Sequence, residues 1–85
     1  MKTKREKENK PVETVRYGVI SASIWRHESD NGTWFNVTFS RSYKDGKEWK
    51  HTDSFGRDDL LTLAKIANEA HTRIFALLAE EDDDE

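Results

Sequence analysis

The side chains that could do chemistry in this chain are three histidines, three tryptophans and a cluster of lysines and arginines. His27, His51 and His71 lie far apart, and no His-x₃-His or similar short spacing gathers them as metal ligands. His51 and Asp53 stand two residues apart, so on one strand face a carboxylate could orient an imidazole for acid–base work. The same spacing also describes an ordinary surface histidine beside an acid. Gly18, Gly32, Gly46 and Gly56 are isolated and make no phosphate-cradling loop. The chain has no cysteine nucleophile, and no serine sits in a nucleophile-elbow pattern. No catalytic residue, metal or cofactor is assigned on these grounds, and the chain is not expected to be an enzyme.

The tryptophans and cations suggest a binding surface instead. Trp25 and Trp34 alternate out of phase with Ile24 and Phe35, which places both indoles on the sheet face away from the core. Ser21, Ser23, Asn36, Thr38, Ser40, Ser42, Lys50, Thr52 and Ser54 are expected to share that face. Arg41, Lys44, Lys47 and Lys50 outnumber Asp45 and Glu48 around the neighbouring turn. Exposed aromatic rings bordered by cations are what single-stranded nucleic acid binding uses, with bases stacked on rings and phosphates met by cations. The alternative is a protein-interaction domain whose partner docks on the tryptophan-bearing face or on a surplus helix face.

These residues need a scaffold, and 85 residues allow one small domain with a limited core. Val15 to Arg26 is expected as a first strand, Trp34 to Tyr43 as a second and Glu48 to Phe55 as a third. An Asn31-Gly32 turn would set Ile24 opposite Phe39. A three-residue loop Lys44-Asp45-Gly46 would set Phe35 opposite Phe55 and Arg41 opposite Trp49. Gly56 then caps a helix from about Arg57 to Ala79, with Asp58 and Asp59 in its first turn. The expected fold is α+β: a three-stranded antiparallel meander followed by one long C-terminal helix packed on one sheet face. Apolar residues cover roughly 220° of that helix, where one sheet needs little more than about 100°. Leu61 and Phe75 therefore point to a second buried face and a homodimer.

Net charge is −3 and is unevenly divided. Residues 1–10 are basic and are expected to be disordered, and residues 80–85 are all acidic and are expected to stay solvated. Residues 11–79 form the domain and balance nine Lys/Arg against nine Asp/Glu. No apolar run has the length of a signal core or a membrane span, so a cytoplasmic protein with no membrane partner is expected.

Phe39-Ser40-Arg41-Ser42-Tyr43-Lys44-Asp45-Gly46, then Glu48-Trp49-Lys50, Ser54-Phe55 and Arg57-Asp58-Asp59-Leu60-Leu61, resembles a family of small bacterial proteins of uncharacterised activity. The similarity covers about residues 11 to 75 and implies a fold but no assigned activity. A curved sheet followed by a C-terminal helix is also similar, in topology, to the positive-cofactor-four class of single-stranded-DNA-binding coactivators. That class is dimeric and has four strands where three are expected here.

Overall fold

The computed structural model of the protein describes residues 10–83, with side chains through Glu81. Its first division of the chain comes from a change in apolar parity. Val15 and Tyr17 are odd-numbered, whereas Ile20, Ala22 and Ile24 are even-numbered. Gly18, at φ 63°, turns the chain between the two sets. The left-handed backbone region is open to glycine at little cost. The expected strand Val15–Arg26 is therefore two strands, β1 (Glu13–Tyr17) and β2 (Ile20–Ser29), with Tyr17 opposite Ile20. With β3 (Gly32–Asp45) and β4 (Glu48–Thr52), the sheet has four antiparallel strands in the order β1-β2-β3-β4.

Both remaining hairpins correct the expected registers. Ser29 pairs with Gly32, so Asp30-Asn31 is the turn, and Ile24 faces Val37 while Ala22 faces Phe39. That register differs from the expected one by two positions, which preserves the faces. The second hairpin differs by an odd number. Asp45 pairs with Glu48 around Gly46-Lys47, and Arg41 faces Thr52 instead of Trp49. Gly46 supplies the positive φ, 67°, that a two-residue hairpin needs. Trp49 and His51 consequently move to the face away from the helix, and Lys50 and Thr52 move to the helix side. Phe55 still packs against the core, but from the connection after β4 and not from a strand position.

A short 3₁₀ turn, Arg57–Asp59, leads into α1 (Leu60–Asp83). The Gly56 N–H donates to the Asp59 carboxylate at 2.8 Å, and the Asp59 N–H donates to the Gly56 carbonyl at 2.9 Å. The helix continues past Ala79, so Glu80–Asp83 are helical where a solvated run was expected. Arg26 explains part of this extension: its guanidinium donates to both Glu81 oxygens, at 2.9 and 3.2 Å. Residues 1–9, 84 and 85, the rest of the two charged segments, lie outside the described residues. No helix among the described residues is long and apolar enough to cross a membrane.

The helix lies on one face of the sheet. Ile66 and Ala70 are buried with Val15, Ile20, Ala22 and Ile24, and Val37, Phe39, Phe55 and Leu63 pack partly buried around them. Polar ties ring this small core. Arg73 reaches Glu13 at 2.9 Å, Tyr17 donates its hydroxyl to Glu69, and Arg41 donates to the Ser54 carbonyl at 3.1 Å while lying 3.4 Å from Asp59. Donation to Glu69 raises the Tyr17 phenol above its ordinary range, aided by desolvation and the Glu69 charge. The Arg26 guanidinium holds Glu81 below the usual carboxylate range.

Two outcomes follow. Gly18→Ala should cost about 1–2 kcal/mol in a denaturation experiment, because Ala resists positive φ. Gly56→Ala, at φ −83°, is the control and should escape that penalty; equal losses at the two positions would contradict the turn. Glu81 has a depressed folded-state pKa, so its contribution to stability is present above its unfolded value and is lost as pH falls through the folded one. Glu81→Gln should therefore lower the thermal midpoint at neutral pH, with the gap to wild type closing in acid. A gap that stays constant in acid would show that the ion pair is not responsible.

Candidate nucleic-acid interface

With the helix on one side, the other sheet face is left open, and period-two alternation decides what lies on it. β1 contributes Thr14 and Arg16, which pair with Ser23 and Ser21 of β2. Beyond those serines, β2 contributes Trp25, His27 and Ser29. β3 supplies Trp34, Asn36, Thr38, Ser40, Ser42 and Lys44, and β4 supplies Trp49 and His51. None of these strand positions carries a carboxylate. All four strand carboxylates, Glu13, Glu28, Asp45 and Glu48, have the opposite parity and sit on the helix side. Among the described residues, the strand positions of this face thus carry two formal charges, the cations Arg16 and Lys44, while Asp53, just past β4, lines a shallow cleft with Ser40 and His51.

The aromatic groups form two pads at the ends of β3. At one end His27 stacks on Trp34, with ring centroids 4.2 Å apart and planes 17° from parallel. His27 Nε2 lies 2.8 Å from Asn36 Oδ1, where an imidazole N–H can donate to the amide oxygen. Trp25 is alongside, its indole N–H donating to Thr38 Oγ1 at 2.9 Å. These bonds tie the Trp25 and His27 rings to side chains of β3 and leave both partly exposed. At the other end the Lys44 ammonium stands 5.5 Å from the Trp49 ring centroid, and Ser42 Oγ lies 3.2 Å from His51 Nδ1. Trp34 is 51% exposed and Trp49 60%. Trp34 and Lys44 are separated by about 33 Å of strand, with hydroxyl side chains between them.

Among the six residues expected at the site, Trp25, Trp34 and Lys44 share this open face, and Lys47 lies in the adjoining β3–β4 turn. Arg41 and Lys50 are corrections. Arg41 ties β3 to the connection and to Asp59, and Lys50 pairs with Asp45 at 3.0 Å on the helix side. Arg41 lies on the helix side because it alternates in phase with Val37 and Phe39, whereas Lys50 is displaced by the odd register change at the second hairpin. That same change brings in Trp49 and His51, which the expected register had turned inward. His27 and Arg16 were also missed: His27 alternates in phase with Trp25, whereas Arg16 reaches this face only through the parity change at Gly18. His51 Nδ1 meets Ser42 Oγ across the strands, and His51 and Asp53 line one shallow cleft.

Comparison with protein-family models, curated proteins and solved structures finds no match. The interface must therefore be argued from its own geometry. Each exposed ring offers a flat apolar surface, each cation lies beside a ring or a row of hydroxyls, and nothing on the strands repels an anion.

Proposed function

We propose that the open sheet face is a non-enzymatic binding surface for single-stranded nucleic acid. The observation that carries this reading is the segregation of charge: every strand carboxylate lies on the helix side, while three tryptophans, two histidines, Arg16 and Lys44 share the other. Bases would stack on Trp34 and Trp49 at the two ends, with Trp25 as a further platform. Phosphates would lie along Arg16, Lys44 and Lys47. Unpaired bases suit the surface because a duplex hides its base faces. A docking protein is the competing ligand, and it differs in how it responds to salt.

Tryptophan fluorescence should be quenched when an oligothymidylate is added at low ionic strength. Trp34→Ala and Trp49→Ala should each weaken binding by about 1–3 kcal/mol. Lys44→Ala should weaken it modestly and flatten the dependence on salt, which for single strands has a slope of about −0.7 per phosphate contact. Lys50→Ala, on the other face, should change neither. No quenching at low salt would rule out the proposal, and equal losses from Lys44→Ala and Lys50→Ala would rule out the assigned face.

A further inference from the structure

β3 holds the two aromatic pads of the open face at its opposite ends, and its register is unbroken from one to the other. His27 faces Trp34 across β2 and β3, with Trp25 facing Asn36 one alternation further along. Lys44 faces Trp49 across β3 and β4, with Ser42 facing His51 beside it. Trp34 and Lys44 have the same parity on one continuous strand, so both pads look out from one face, about 33 Å apart. Between them β3 shows Thr38 and Ser40, which face Ser23 and Ser21 of β2, and these face Thr14 and Arg16 of β1. None of these intervening strand positions carries a ring. The ring-free stretch from Asn36 to Ser42 is about 20 Å long.

We infer that the face takes a single strand long enough to reach both pads at once, with bases stacked at the two ends and only the sugar–phosphate chain held between them. The inference rests on the proposed nucleic-acid function and adds to it the length of the ligand and the places where its bases are needed. A base is held on such a surface by stacking on a ring. Over the ring-free stretch, hydroxyls and the Arg16 guanidinium can donate to phosphate oxygens but offer a base no platform. Contacts of that kind position a strand and carry no sequence information. Arg16 flanks the stretch on its β1 side, and Asp53 borders it just past β4, so a phosphate finds a cation on one flank only.

Length decides whether both pads are used. A trinucleotide, at about 3.4 Å per stacked nucleotide, is about 10 Å long. Even at twice that extension it covers one pad and stops short of the other. About ten stacked nucleotides, or about half that number at twice the extension, span 33 Å. Once one end is stacked, the second pad is met within the same complex, and linkage of this kind raises affinity about 10²–10⁴-fold over either contact alone. The ligand is accordingly an unpaired strand of about five to ten nucleotides or more, and mononucleotides and dinucleotides are excluded from tight binding.

Two synthetic dodecamers with the same backbone charge and the same number of bases test this arrangement against a continuous site. One carries two thymidines at each end, separated by abasic units. The other carries four thymidines together at its centre, with abasic units on both sides, so its bases cannot reach across the face. Fluorescence anisotropy of the end-labelled oligomers at low ionic strength should show the first bound within about threefold of a full thymidine dodecamer, and the second about tenfold or more weakly. Trp49→Ala removes the indole of one pad and should bring the two oligomers to within about twofold of each other. Equal affinities for the two oligomers in the wild type, with the full dodecamer bound, would overturn the two-pad arrangement and leave the nucleic-acid function standing. Failure to bind the full dodecamer would overturn both.

Discussion

The packing of Ile66 onto Val15, Ile20 and Ala22 determines where nearly every other side chain goes. A strand sends successive residues to opposite faces, so choosing the face that meets the helix also chooses the face that does not. Residues in phase with Ile24 on β2 and with Val37 on β3 lie under the helix. Their immediate neighbours, Trp25 and Asn36, are turned outward by the same choice. The core is small, so this division depends on few contacts.

Charged groups on the helix side reinforce that division. Glu13 with Arg73, Arg26 with Glu81 and Arg41 with Asp59 each join the sheet to the helix or its entry turn. Exposed ion pairs of this kind contribute little individually. Their placement matters more than their strength, because it keeps carboxylates and their partner cations at the rim of the core. The strand positions of the open face are thereby left with Arg16 and Lys44, and their polarity otherwise comes from hydroxyl, amide and imidazole groups. A net acidic protein can present a locally cationic surface in this way.

Much of this arrangement was legible in the chain. The alternation of Phe35, Val37 and Phe39 with Trp34, Asn36 and Thr38 identified β3 and both its faces, and the helix start at Gly56 was visible in its glycine and following acids. Gly18 was harder to read, because β-branched residues run on either side of it and suggest one continuous strand. The shift from odd to even apolar positions across it was the usable sign. At the second hairpin, placing Phe55 within a strand favoured the wrong register. Phe55 reaches the core from a loop, and alternation does not constrain a loop residue. Trp49, His51 and Lys50 were misplaced together for that one reason. The helical state of Glu80–Asp83 depends in part on Arg26, 55 residues from Glu81 in sequence, and local charge repulsion gave no hint of it.

Backbone amide chemical shifts, followed as an oligothymidylate is titrated into the isotopically labelled protein, test the central claim most directly. The account predicts shifts concentrated at Ser23, Trp25, Trp34, Thr38, Lys44 and Trp49, with the exposed helix positions around Leu61 and Phe75 unaffected. Shifts confined to the helix, or none at low ionic strength, would contradict it.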